Sequence, residues 1–167
     1  MARIYLGLGS NLGDRISYMA NAIKSLKQDI RSIRVSKVYE TRPFGYERQD
    51  NFLNAAIEGE TDLSPMDLLG SVKRAEIETG RQKRFRFGPR EIDVDILFYG
   101  NLIIHEEGLD IPHQGMAERD FVLKPLMDLN PDILHPIYKK TVRQLYDELP
   151  KDKRFVLDSG QDLLDAR

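Results

Sequence analysis

Apolar and other residues alternate from Arg3 to Leu8, with Ile4, Leu6 and Leu8 on one side and Tyr5 and Gly7 on the other, which predicts a half-buried strand. It runs into Gly9-Ser-Asn-Leu-Gly13-Asp14, a turn-rich loop whose Asp is placed to cap a helix. The period then lengthens: Ile16, Met19, Ala20, Ile23 and Leu26 recur at helical spacing to about Gln28. A strand from about Ser32 to Thr41 follows, its alternation slipping between Val35 and Val38 as at a bulge. Phe52 to Gly59 alternates again, Leu53, Ala55 and Ile57 making one face and Phe52, Asn54 and Ala56 the other. Ser64-Pro65 starts a helix with a cap and a first-position Pro; Leu68, Leu69, Val72 and Ala75 point inward, and Gly80 ends it. Lys73 and Glu76 lie together on another side, a spacing that reads as a solvated pair. A strand near Glu91 to Tyr99 sets Ile92, Val94, Ile96 and Phe98 against Asp93 and Asp95 on the opposite face. Gly100-Asn101 is a hairpin signal leading into Leu102 to His105, and Asp110-Ile-Pro-His113-Gln-Gly115 is a Pro-stiffened loop. Met116 to Met127 and Thr141 to Leu149 read as helices.

The order up to Tyr99 is β-α-β-β-α-β, the ferredoxin-like order. The fold class expected is α+β: an antiparallel sheet with two helices on one face, plus a C-terminal hairpin and helices. Phe52, Asn54, Asp93 and Asp95 should share the other face, which stays open unless loops or added elements cover it. A chain of 167 residues suits one core, so residues 1–167 are expected to form a single domain. Residues 42–51 and 80–90 are long, polar or Gly/Pro-bounded loops flanking that face, natural candidates for lids.

Composition works mainly by exclusion. There is no cysteine, hence no disulfide, thiolate metal site or cysteine nucleophile. A net charge of −2 gives no global attraction to nucleic acid or membrane. No apolar run approaches the ~20 residues of a spanning helix, and the N-terminus lacks the pattern of a secretion signal, so a cytoplasmic protein is expected. His105, His113 and His135 are too widely spaced to suggest a zinc triad. Gly7, Gly9 and Gly13 fit neither the dinucleotide fingerprint nor a P-loop, and serve either a tight turn or close approach of a ligand.

The chemistry concentrates between Gly80 and Tyr99. Arg81, Lys83, Arg84, Arg86 and Arg90 come with no acid among them, followed by Asp93 and Asp95. Two carboxylates roughly 7 Å apart on one strand face repel unless a cation lies between them. Acids suited to a hard cation beside guanidinium groups are what a metal–polyphosphate complex requires. A blander reading leaves that face in solvent with the acids paired to nearby arginines. An RNA-binding module is the rival from another class, since Arg84-Phe85-Arg86-Phe87 interleaves cation and aromatic, although the aromatic-rich motif expected on central strands is absent. A non-catalytic regulatory domain would need none of these features together.

Several segments stand in the order of a known family: Gly9-Ser-Asn-Leu-Gly13, Tyr39-Glu-Thr-Arg-Pro-Phe-Gly45, Phe52-Leu-Asn-Ala-Ala56, Gly88-Pro-Arg-Glu-Ile-Asp-Val-Asp-Ile96, Ile111-Pro-His113 and Arg119-Asp-Phe121. With them the chain resembles the 6-hydroxymethyl-7,8-dihydropterin pyrophosphokinases of folate biosynthesis, from about residue 3 to 150. The resemblance implies transfer of pyrophosphate from ATP to the pterin hydroxymethyl group, with AMP leaving. It implies that Asp93 and Asp95 hold two Mg²⁺ ions, and that Arg81, Arg86 and Arg90 join them in catalysis. Thr41, Pro43, Phe44, Asn54 and Phe87 would recognise the pterin, sandwiched between Phe52 and Phe121, with Asp93 and Arg119 also near it. Lys73, Glu76, Arg81, Arg86, Arg90, Ile96, Asp110, His113, Gln114 and Arg119 would form the ATP site. Phe52 and Phe87 stand where Tyr and Trp are common, and Lys73, Arg42 and Gln114 also depart from the usual pattern. The partners implied are ATP and 6-hydroxymethyl-7,8-dihydropterin, with no nucleic acid and no membrane, in a monomer acting without a fused folate-pathway domain.

Overall fold

β1 (Ala2–Ser10) is one of two inner strands of the sheet, hydrogen-bonded on both sides, and it extends past the predicted Leu8. The computed structural model describes residues 1–166. α1 (Arg15–Leu26), β2 (Arg31–Val35), β3 (Tyr39–Thr41), β4 (Phe52–Thr61), α2 (Pro65–Thr79) and β5 (Asp93–Tyr99) follow in the predicted order. The sheet runs β2-β4-β1-β5 and is antiparallel, with β3 also on β4. The strand expected over residues 32–41 is thus two pieces. Ser36 occupies the break, its N–H donating to the Ala56 carbonyl (2.9 Å) while its Oγ accepts from the Ala56 N–H (2.8 Å).

One sheet face carries Ile4, Leu6, Leu8, Leu53, Ala55, Ile57, Val94 and Ile96 against Met19, Ile23, Leu26, Leu68, Val72 and Ala75 of α1 and α2. Burial of this size is the main stabilising term of the fold. The Asp14 carboxylate accepts from Ser17 N–H (3.1 Å) and the Ser64 hydroxyl from Asp67 N–H (3.2 Å), capping the two helices as their sequences indicate.

The second face is half covered. α3 (Asp120–Leu129) and α4 (Val142–Asp147) pack Leu123, Leu126, Leu129, Val142 and Leu145 onto Tyr5, Ala56, Leu97 and Phe98. Phe98 corrects the alternation. Tyr5 pairs with Phe98 but Leu6 pairs with Ile96, so Leu97 is an extra residue, and this bulge turns Phe98 to the α3 side.

Other boundaries also move. The helix expected over 116–127 is broken: Met116–Glu118 is a single 3₁₀ turn and Arg119 is extended before α3 begins. The strand after Gly100-Asn101 does not return to β5. Instead β6 (Ile104–Glu106) pairs with β7 (Leu109–Ile111) as a separate ribbon, which places Asp110 in a strand. The last helix shortens to α4, held by a capping box between Thr141 and Gln144. Beyond it the chain returns along β3, where Leu157 N–H donates to the Glu40 carbonyl (2.8 Å) and Gln161 N–H to the Val38 carbonyl (3.0 Å). No helix among the described residues is long and apolar enough to cross a membrane.

Gly80 closes α2 at φ +107°, a conformation that L side chains avoid. Gly80→Ala is therefore expected to lower unfolding stability by about 1 kcal/mol or more, read as a reduced denaturation midpoint with an unchanged m-value.

Candidate active site

Where α3 leaves the second sheet face bare, a cleft of about 850 Å³ opens. Its floor follows from strand pairing. Gly9 of β1 lies opposite Asn54 on β4 and Asp93 on β5, and Gly7 lies opposite Ala56 and Asp95. Directly paired residues share a face, so an amide on one side and two carboxylates on the other border a trough without side chains. A Cβ at Gly9 would stand 2.8 Å from Asn54 Oδ1. These two glycines therefore belong to the strand and keep the floor clear, while Gly13, at φ +63°, makes the turn. The Asn54 amide donates to Thr41 Oγ1 (2.7 Å), which fixes its orientation.

The acids sit in unlike surroundings. Asp93 accepts from Arg81 Nη1 (3.1 Å) and Arg90 Nη1 (2.9 Å). Glu76 is 3% exposed, not part of a solvated pair. Its Oε2 accepts from Arg81 Nη1 (2.6 Å) and from the Val94 N–H (2.9 Å), and Lys73 Nζ lies 3.5 Å from Oε1. Asp95 faces His113 Nε2 at 3.9 Å. Its side chain keeps 42% of its surface and lines the cleft. Desolvation there raises the Asp95 carboxyl well above the usual range, and the charges of Asp93 and Glu76 raise it further. Burial, then Arg119, pushes His113 down.

The basic run is less free than its sequence suggests. Arg84 grips Glu91 with two bonds (2.7 and 2.8 Å), and Glu91 also accepts from Gln82 N–H (3.2 Å). With Arg81 and Arg90 on Asp93, three of its five cations already face acids. Arg86 lies over the Phe87 ring at 4.7 Å.

Aromatic rings and one asparagine join the two long loops. Phe44 meets Phe87 at 5.6 Å and Phe121 at 6.0 Å, Tyr46 meets Phe85 at 4.9 Å, and Arg119 lies over Phe44 at 4.7 Å. Asn11 donates to Gln49 Oε1 (2.8 Å) and the Asp50 carbonyl (2.9 Å), while its Oδ1 accepts from Arg90 N–H (2.9 Å). Gln49 in turn donates to the Phe87 carbonyl (2.7 Å).

The cleft brings together Thr41, Phe44, Phe52, Asn54, Phe87, Arg119 and Phe121 with Arg81, Arg86, Arg90, Asp93 and Asp95. Lys73, Ile96, Asp110, His113 and Gln114 also line it; Asp110 contacts the His105 ring from the ribbon. Pro43 is not part of the wall, and Glu76 lies behind it. Sequence reasoning missed Asn11, Gln49 and Glu91 as organisers of the loops. Asn11 sits inside a quoted motif and Glu91 beside Arg90, but neither position shows its distant partner. No group of three or more His, Cys, Asp or Glu among the described residues converges as a metal cage.

The family model of 7,8-dihydro-6-hydroxymethylpterin-pyrophosphokinase matches residues 5–131. A 2-amino-4-hydroxy-6-hydroxymethyldihydropteridine pyrophosphokinase of Aquifex aeolicus is 45% identical over 148 residues, covering 89% of this chain and 92% of that protein. A protein of the same name from Bacillus subtilis is 45% identical over 127 residues, 75% of this chain and 76% of the other. A folic acid synthesis protein of Dictyostelium discoideum is 44% identical over 147 residues, 88% of this chain but 22% of its own length. The crystal structure of wild-type Plasmodium falciparum HPPK-DHPS with pterin and p-hydroxybenzoate shares the fold, at a TM-score of 0.71 and 18% identity, over 88% of this chain and 41% of that one.

The Arg84 hydrogen bonds hold the Glu91 carboxyl down to about 2, against an ordinary 4.5. A lowered folded value contributes stability that is complete above pH 4.5 and disappears as pH falls through about 2. Glu91→Gln should accordingly melt earlier than wild type at pH 7, with the gap closing between pH 4.5 and 2 in thermal melts.

Proposed function

The chain belongs to the 7,8-dihydro-6-hydroxymethylpterin-pyrophosphokinase family, and on that premise we propose that its cleft holds the pterin over the Asn54 side of the trough and the ATP polyphosphate over the Asp93–Asp95 side. The enzyme transfers pyrophosphate from ATP to the hydroxymethyl group of the dihydropterin in folate biosynthesis. Use of Mg²⁺-ATP is typical of the family.

The observation that carries the assignment is the row Asn54–Gly9–Asp93. It sets a hydrogen-bonding amide and a charged edge across a gap that only main chain occupies. Asn54, steered by Thr41, faces the nitrogen edge of the pterin, and Phe52 and Phe121 take its flat faces. Phe44 and Phe87 close that end, with Pro43 acting through the loop backbone. Arg86 and Arg119, over the Phe87 and Phe44 rings, reach from that end toward the phosphates, and Lys73 and His113 ring the other end, with Ile96, Asp110 and Gln114 beside them for the nucleotide.

The donor set suits Mg²⁺. Asp93 and Asp95 offer hard oxygen ligands side by side on one strand face. Two ions held by these carboxylates would neutralise phosphate charge and make the β-phosphorus more electrophilic. Arg81 and Arg90 now neutralise Asp93; as the polyphosphate enters they turn to its oxygens and release both Asp93 oxygens. Glu76 positions this exchange by holding Arg81 and the Val94 N–H without reaching the cleft. The pterin hydroxymethyl oxygen attacks the β-phosphorus in line, AMP leaves, and the protein acts by orientation and charge. An RNA-binding reading has less to stand on, because Arg84 and Phe85 are engaged with Glu91 and Tyr46.

Incubation with ATP, Mg²⁺ and 6-hydroxymethyl-7,8-dihydropterin should give pterin-dependent AMP and the pterin diphosphate; ADP would place the attack on the wrong phosphorus. Asp95→Ala should lower turnover by at least about 10²-fold while its melting temperature stays level or rises, since the substitution removes an acid whose ionisation is opposed in the folded protein by desolvation and by Asp93 and Glu76. Near-normal turnover by that variant would overturn the role given to the acid pair.

A further inference from the structure

The segment after α4 reaches the cleft's pterin end by a route that the reaction does not explain. Asp120 is 1% exposed, and no cation among the described residues pairs with its carboxylate. Both its oxygens accept from the Phe155 N–H (2.9 Å each), and Oδ2 also accepts from the Val156 N–H (3.0 Å). Asp120 lies between Arg119 and Phe121, so this buried clasp binds the returning chain to the start of α3. On the other side Arg42 N–H donates to the Phe155 carbonyl (2.9 Å), Arg42 Nη2 to the Arg154 carbonyl (2.8 Å), and Thr41 bridges to Val156.

The Phe155 ring completes the arrangement. It meets Phe121 at 6.0 Å and 85° and Phe44 at 5.8 Å and 69°, and the Arg42 guanidinium covers it at 4.6 Å. Phe155 does not line the cleft. Thr41, Arg42, Phe44 and Phe121, which meet residues 154–156, all line the cleft, and Thr41 also orients Asn54 there; Asp120 lies behind the wall. Those contacts do not extend to Asp95 or His113. The family match ends at residue 131, so the segment lies outside it.

We propose that Arg154–Val156 is a positioning element for the pterin half of the site, with Phe155 setting the tilt of Phe121 and Phe44 while the Asp120 clasp holds Phe155 in place. The inference rests on the reading that Phe121 stacks on the pterin. A phenyl ring rotates about two side-chain bonds, and an edge-to-face neighbour on its outer side removes orientations that do not lie flat on a ligand. Loss of that neighbour should weaken pterin binding and leave ATP binding unchanged.

Phe155→Ala should raise the pterin KM by about three- to tenfold, with kcat and the ATP KM within twofold of wild type; Phe155→Tyr, which keeps the ring, should restore the pterin KM. A pterin KM unchanged in Phe155→Ala, or both KM values rising together, overturns the proposal. In the unmodified protein, the pterin alone should slow hydrogen exchange at the Phe155 and Val156 amides, and a non-hydrolysable ATP analogue with Mg²⁺ should not. Pterin binding without any change at those amides refutes the proposal by itself. Failure of the unmodified protein to bind the pterin would instead strike the reading of the site on which it rests.

Discussion

Helix α2 buries a carboxylate at the point where the sheet, the basic loop and the acid pair meet. Glu76 accepts from the Val94 N–H, in the strand between Asp93 and Asp95, and from Arg81, the first residue beyond the helix cap. A buried acid demands partners of this kind, and satisfying it sets the distance between α2 and β5. Arg81 then reaches Asp93, Arg90 takes the other Asp93 oxygen, and the loop between the two arginines is tied at both ends. Asp95 lies outside this pairing, and desolvation, with the charges of Asp93 and Glu76, raises its carboxyl.

The sheet divides its work lengthwise on its second face. Tyr5, Ala56, Leu97 and Phe98 serve as core beneath α3, and the glycines, Asn54 and the aspartates further along serve as floor. The Leu97 bulge is the hinge of that division, since it adds two apolar side chains to the covered end without disturbing the alternation at Asp93 and Asp95. Rigidity at one end and access at the other thus come from the same strands.

Alternation carried most of this in the sequence. The faces of β1 and β4, the caps at Asp14 and Ser64 and the co-location of Asn54 with Asp93 and Asp95 follow from local periodicity. The failures share a cause. The side of Phe98 depends on how β5 registers against β1, the burial of Glu76 on β5 landing beside it, and the pairing of Arg84 on Glu91 folding back seven residues. Ser36 breaks the strand over residues 32–41 through a bond to Ala56, twenty residues away. Partners distant in sequence leave no periodic mark, and the returning segment at Phe155 left none at all.

The bare trough along β1 also bears on how this enzyme could be blocked. A compound bridging from Asn54 to Asp93 would rest on the main chain of Gly9, where the first carbon of any side chain would strike the amide at 2.8 Å. Enlarging a residue beneath an inhibitor is one route to resistance, and at Gly9 enlargement displaces the amide proposed to recognise the natural substrate. The floor is a surface from which escape by substitution carries its own penalty.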